Sequence, residues 1–156
     1  AYVYQGTLEP PPSHEVDPLT AGEGVYGGCA TCHGGSGEGV GATPALTDVL
    51  ETFPDYRDHA MWVRVGSPGW PAETYGATDR THGGGMPPHA TMTDAELAQV
   101  VLYERVAFGG LEEDSEEYLA LVEIAEGHAT WADIFAEEGV GPESAEAGLA
   151  PEDFGS

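Results

Sequence analysis

The stretch Gly27-Gly28-Cys29-Ala30-Thr31-Cys32-His33-Gly34 decides the fold, because it holds the only two cysteines of the chain in the pattern Cys-x-x-Cys-His. This pattern is the signature of covalent c-type heme attachment. The two thiols add to the two vinyl groups of a heme as thioethers, and the adjacent histidine falls beneath the iron. We therefore predict one covalently bound heme c, attached at Cys29 and Cys32, with His33 as an iron ligand.

Two other uses of a Cys-x-x-Cys pair fit the rest of the sequence poorly. A redox-active dithiol of the thioredoxin type expects a βαβ context, and the sequence shows none. A structural zinc site needs four ligands, and the chain has no second pair of cysteines. The sequence therefore favours heme attachment over both alternatives.

The second axial ligand has one leading candidate and two alternatives. Met86 lies in the loop Gly83-Gly84-Gly85-Met86-Pro87-Pro88, where Pro87 restricts it to an extended backbone. His82 and His89 flank the same loop, and either would give a bis-His heme instead. The remaining methionines and histidines are predicted to pack in the core or lie on the surface: Met61, Met92, His14, His59 and His128.

Helix signals recur along the chain and predict an all-α fold. Asp17 and Pro18 mark the start of a first helix that extends to about residue 28. Thr93 and Glu96 form a capping box that opens the clearest helix, and apolar residues follow at helical spacing to Phe108. Further helices are predicted over about 45–52, 55–65, 113–126 and 130–138.

Four blocks of sequence, in this order and spacing, resemble the class I monoheme c-type cytochromes over residues 17–110. The blocks are the heme-attachment stretch, Pro44-Ala45-Leu46, Gly85-Met86-Pro87-Pro88, and Met92-Thr93-Asp94-Ala95-Glu96-Leu97 leading into Val100-Val101-Leu102-Tyr103. The resemblance implies a small all-α cytochrome c fold wrapped around one covalent heme. It also implies that the protein is exported, because heme c is attached outside the cytoplasmic membrane in bacteria.

The resemblance also implies roles for residues outside the attachment stretch. The Pro44 carbonyl should accept a hydrogen bond from the His33 ring and orient it. Leu46 should pack on the face of the heme. Trp70 and Tyr75 should contact a heme propionate or shield the heme edge.

Three regions are expected along the chain. Residues 1–16, which include Pro10-Pro11-Pro12, are predicted to form an extended arm. Residues 17–110 form the cytochrome c domain. Residues 111–156 contain 14 acidic residues and neither Lys nor Arg. Two short amphipathic helices are predicted in this acidic extension, and their apolar faces must pack on the main domain or on a partner.

The charge of the chain limits its partners. Four arginines and no lysine stand against 28 acidic residues, giving a net charge of -24. The chain therefore lacks the basic patch that nucleic acids require, and an anionic membrane surface is disfavoured. A redox partner with a basic or apolar docking face is expected, and docking should weaken with salt. The sequence has no apolar run long enough for a transmembrane helix.

These observations predict one-electron transfer by a His/Met-ligated heme c, and not an enzyme. The leading expectation is a soluble carrier between exported, periplasmic redox partners. The alternative is a fixed heme c subunit of a larger respiratory or photosynthetic complex, docked through the C-terminal extension and held at a membrane by its partners. A third hypothesis, an enzyme or gas sensor with an open iron site, needs a replaceable sixth ligand helped by His82 or His89.

Overall fold

The computed structural model describes residues 17–41, 43–70, 73–78, 80–81 and 85–138. Over these residues the chain is helical, and an isolated bridge between Thr74 and Thr81 is its only β pairing. The all-α prediction is confirmed. The arm predicted over 1–16 lies outside the described residues, as does His82.

Seven α-helices and one π turn form the described part of the chain. They are α1 (Pro18–Tyr26), α2 (Ala30–His33), α3 (Val49–Thr52), α4 (Tyr56–Gly69), α5 (Asp94–Tyr103), the π turn (Glu104–Phe108) that continues α5, α6 (Glu116–Ala125) and α7 (Trp131–Glu138). None of these helices has the length and apolar character needed to cross a membrane.

The helix starts read from the sequence are present. The Asp17 side chain accepts a hydrogen bond from the Thr20 amide, and Pro18 occupies the first helical position of α1. In α5 the Thr93 hydroxyl accepts from the Glu96 amide at 3.1 Å, and the Glu96 carboxylate accepts from the Thr93 amide at 3.0 Å. Both capping arrangements satisfy amides that would otherwise lack partners at the helix N-terminus.

Two helices differ from their predicted bounds. The helix predicted from residue 45 begins at Val49, because the Leu46 amide donates to the carbonyl of Gly37 in the glycine-rich loop and not within a helix. The helix predicted to end near residue 65 continues to Gly69 through a kink at Gly66, whose φ is 68°. The segment from Ser67 to Gly69 is therefore helical.

Helix α5 lies at the centre of the fold and packs against α1, α4 and α6. Its fully buried side chains are Leu97, Ala98, Val100, Val101 and Leu102. The close crossing with α1 depends on Gly22, because a Cβ there would collide with the Gln99 carbonyl oxygen and lie 2.8 Å from the Tyr103 Cβ. A small residue at this crossing lets the two backbones approach.

The described part of the acidic extension packs on the main domain. Leu121, Ile124 and Trp131 are completely buried. The Trp131 amide donates to the Asp94 carboxylate and its indole N–H donates to the Asp94 carbonyl, both at 3.1 Å. The apolar faces of α6 and α7 are thus covered within this chain.

Candidate heme site

One cavity of about 320 Å³ gathers residues that are far apart in the sequence. Its wall includes the predicted attachment residues Cys29 and Cys32, the predicted ligand His33, and Met86 from the loop before α5. Pro44 and Tyr75 also line it. Two thiols, an imidazole and a thioether around one cavity form the donor set of a c-type heme. The residues therefore fit the group that the sequence predicts.

The attachment residues lie on a single helical turn between α1 and the glycine-rich loop. Cys29 caps α2 and is half-buried, whereas Cys32 is exposed. The Tyr26 hydroxyl donates to the Gly34 carbonyl at 2.6 Å, which ties the end of this turn back to α1. The turn is thus held by the buried end of α1.

His33 is buried and oriented by its neighbour. Its Nδ1 lies 3.2 Å from the carbonyl oxygen of Pro44. Because a carbonyl only accepts hydrogen bonds, Nδ1 carries the proton and Nε2 keeps a free lone pair. This is the tautomer that an imidazole needs to bind a metal through Nε2.

Met86 is fastened to α4 by Ser67. The Met86 amide donates to the Ser67 hydroxyl at 3.0 Å, and the Met86 carbonyl accepts from the Ser67 amide at 2.9 Å and from its hydroxyl at 3.2 Å. The kink at Gly66 makes room for this contact, since a Cβ there would lie 2.7 Å from the Met86 carbonyl oxygen. We call this set of contacts between Gly66, Ser67 and Met86 the Met86 latch.

Arg64, one turn earlier on α4, holds the chain that follows Met86. Its Nη1 donates to the carbonyls of His89, Ala90 and Met92, at 3.3, 3.1 and 2.7 Å. Its Nη2 lies 3.7 Å from the Asp94 carboxylate at the start of α5. A buried guanidinium thus fixes the path from the cavity to the central helix.

The other predicted residues divide between the cavity and the core. Tyr75 lines the cavity, and burial raises its pKa to about 12. Leu46 and Trp70 are buried in the core, and neither is among the described residues that line the cavity. The Trp70 indole N–H is taken by the Thr74 carbonyl at 3.1 Å. His89 does line the cavity, so it stays an alternative to Met86.

Several residues of the cavity wall were not predicted from the sequence, among them three with side chains that bear on its function. Trp62, Ser67 and Arg80 all line the wall. Arg80 is exposed, with its guanidinium carbon 5.3 Å above the Tyr75 ring. The sequence contains a hint of this role, because Arg80 is one of only four basic residues and lies in a loop rich in Gly and Pro. Ser67 gave no signal, because its importance depends on the kink beside it.

The other three arginines are paired with an acidic residue or buried within the fold. Arg57 pairs with Asp55 at 2.7 Å, and Arg64 and Arg105 are buried.

No group of three or more His, Cys, Asp or Glu side chains suited to a metal ion occurs among the described residues.

Comparison with known proteins identifies the family of this chain. The family model described as Cytochrome c matches residues 19–103, more than half of the chain. No match is found among curated proteins or solved structures. Members of this family are generally electron carriers rather than enzymes, and they are typically exported. The chain belongs to the cytochrome c family, and it carries covalently bound heme c and transfers electrons through it.

Proposed function

We propose that heme c is attached at Cys29 and Cys32, that His33 and Met86 are its two axial ligands, and that the protein is a one-electron carrier. The observation that carries this proposal is the single cavity that joins the attachment turn to Met86. When bound, heme c supplies one-electron chemistry through the ferric and ferrous states of its iron.

Both proposed ligands are held by hydrogen bonds within the protein. The Pro44 carbonyl fixes the ring of His33, and the Met86 latch fixes the backbone of Met86 on two sides. Ligands supported in this way would keep the same coordination in both oxidation states, so little would reorganise on electron transfer. Met ligation also holds the potential high relative to a bis-His site.

The other residues of the cavity wall would shield the heme from water and position its propionate groups. Trp62 and Tyr75 present large, buried aromatic surface to the cavity, which excludes water. Arg80 is the exposed cation of the cavity wall, so it is the natural partner of a heme propionate. We assign propionate contact to Arg80 and Tyr75, because the N–H of Trp70 is already used by Thr74.

Two features support a freely diffusing carrier over a fixed subunit. The apolar faces of α6 and α7, which would serve as tethers, are buried against the chain itself. The net charge of -24 favours encounters steered by a basic face of an exported redox partner. Such electron-transfer encounters are usually small and transient.

The test is the visible spectrum of the holoprotein, with and without CO. We expect low-spin ferric and ferrous spectra, a sulfur-to-iron charge-transfer band, and no response to CO. Met86→Ala should lose the charge-transfer band and bind CO. Met92→Ala, on the same loop, should keep the band and remain unresponsive to CO. A Met86→Ala protein that remains closed to CO would assign the sixth position to a histidine, with His89 the first to test.

A further inference from the structure

A cluster of buried ionisable side chains lies outside the cavity and has no role in the proposal above. His59, Glu104 and Arg105 have relative exposures of 2%, 4% and 1%. His59 Nε2 lies 2.8 Å from Glu104 Oε1, and Arg105 Nη1 lies 3.4 Å from His59 Nδ1. Buried charges cost free energy, so a buried cluster needs an explanation.

The π turn places two consecutive residues of this cluster in the interior. Glu and Arg side chains are almost never fully buried unless they are paired, so two consecutive buried charges are unusual even at the end of a central helix. The wider turn over Glu104–Phe108 buries both Glu104 and Arg105. Such π turns are rare and occur frequently at functional sites.

The hydrogen bonds show which member of the cluster carries an unmatched charge. A guanidinium only donates, so His59 Nδ1 is an acceptor and the ring proton is on Nε2, facing Glu104. Burial lowers the pKa of His59, which keeps the ring neutral. Arg105 in turn donates to both carboxylate oxygens of Glu117 on α6, at 2.7 and 3.2 Å.

Glu117, one of the acidic residues of the C-terminal extension, neutralises Arg105. Further donors of Arg105 go to the carbonyls of Phe53 and Pro54. With Arg105 matched by Glu117 and His59 neutral, the negative charge of Glu104 is left over inside the protein.

Glu104 acts on the wall of the cavity. The Phe53 ring stacks on His59 at 5.5 Å and meets the Tyr75 ring edge-on at 5.5 Å, so one aromatic layer separates the cluster from a cavity residue. Besides burial, the charge of Glu104 raises the pKa of Tyr75, to about 12. The field of this carboxylate therefore reaches the wall of the cavity through the aromatic layer.

We propose that Glu104 is an electrostatic tuning residue that lowers the reduction potential of the heme. A buried negative charge favours the ferric over the ferrous state, because reduction adds one more negative charge nearby and the protein interior screens poorly. His59 holds the carboxylate in place with one hydrogen bond, and Glu117 completes the cluster from the acidic extension. This inference rests on the heme site proposed above.

The test compares midpoint potentials of holoproteins by spectroelectrochemical titration at pH 7. In Glu104→Gln, we expect the equilibrium constant for reduction to rise at least tenfold, which is about 59 mV for one electron. Glu104→Asp keeps the charge and should stay within threefold of the wild type. Glu123→Gln removes the same charge from a side chain that is 59% exposed, and it should change the constant less than twofold.

Two outcomes would overturn the inference while the proposed function stands. One is a Glu104→Gln potential equal to that of Glu123→Gln, in a protein with covalent heme and an unchanged spectrum. The other is an equal shift in Glu104→Asp and Glu104→Gln, because packing and not charge would then be responsible. A wild-type chain without covalent heme would instead overturn both proposals.

A second variant covers the case in which Glu104→Gln does not fold. The double change His59→Gln/Glu104→Gln pairs two amides that can hydrogen-bond to each other, and it leaves an acceptor for Arg105. It removes the same charge, so the same tenfold rise is expected. A rise of less than twofold in this folded variant would overturn the inference.

Discussion

Replacing Ser67 with Ala tests whether the Met86 latch holds the sixth ligand on the iron. The substitution removes the two hydrogen bonds of the Ser67 hydroxyl, and it leaves the bond from the Ser67 amide to the Met86 carbonyl. Each hydrogen bond contributes about 1 kcal/mol, so the latched position should lose about 2 kcal/mol. Exogenous imidazole competes with Met86 for the iron, and its apparent affinity should therefore rise about thirtyfold.

The assay is a spectrophotometric titration of the ferric holoprotein with imidazole. Ser115→Ala is the matched control, because Ser115 caps α6 through the Tyr118 amide and belongs to no cavity wall that the structure describes. It should cost about 1 kcal/mol of stability without changing the imidazole affinity. This control separates weakening of the latch from general destabilisation.

One combination of results would show that the latch has no influence on the iron. Met86→Ala would bind imidazole readily, which would identify Met86 as the displaced ligand. Ser67→Ala would show an affinity within threefold of the wild type. The latch would then be a feature of the fold with no influence on the iron.

Three further predictions concern stability, measured by urea unfolding of the holoprotein. Gly66→Ala adds a Cβ at positive φ within 2.7 Å of loop backbone, so it should lower the free energy of unfolding by more than about 2 kcal/mol. Gly24→Ala is the control, because a Cβ there meets open space, and it should leave the stability unchanged. Equal losses in the two variants would contradict the prediction. In the folded protein the pKa of Tyr75 is raised to about 12, so its contribution to the free energy of unfolding is complete below pH 10 and is lost as the pH rises from 10 to 12, by up to about 3 kcal/mol. Tyr75→Phe should reduce this loss of stability between pH 10 and 12. An unchanged dependence of stability on pH in Tyr75→Phe would contradict the prediction. Trp131→Ala should cost about 3–5 kcal/mol, against less than about 1 kcal/mol for the exposed Leu119→Ala, and a small loss would show that α7 is not docked in solution.

The attachment motif and the helix caps could be read from the sequence because each depends on residues close together in the chain. Cys29, Cys32 and His33 lie within one turn, and Thr93 and Glu96 bond to each other across three residues. Local chemistry of this kind leaves a fixed spacing that a reader can recognise.

The parts that escaped prediction depend on contacts between distant segments. Ser67 matters because a kink brings it to Met86, and Glu117 matters because α6 folds back onto the π turn. The π turn itself has no sequence signature, since the residues from Glu104 to Phe108 continue the pattern of an ordinary helix. His59 was expected to be an isolated surface or core histidine, and only the fold shows the charged partners around it.

The internal use of arginine has a practical consequence for proteolysis. Trypsin cleaves after Lys and Arg, and this chain has no Lys and four Arg. Arg64 and Arg105 are buried and Arg57 is half-buried, so the folded protein offers one exposed site, after Arg80. That peptide bond lies at the cavity wall, and a redox partner seated over the heme edge would cover it. The rate of this single cut therefore gives a footprint of docking that needs no label on either protein.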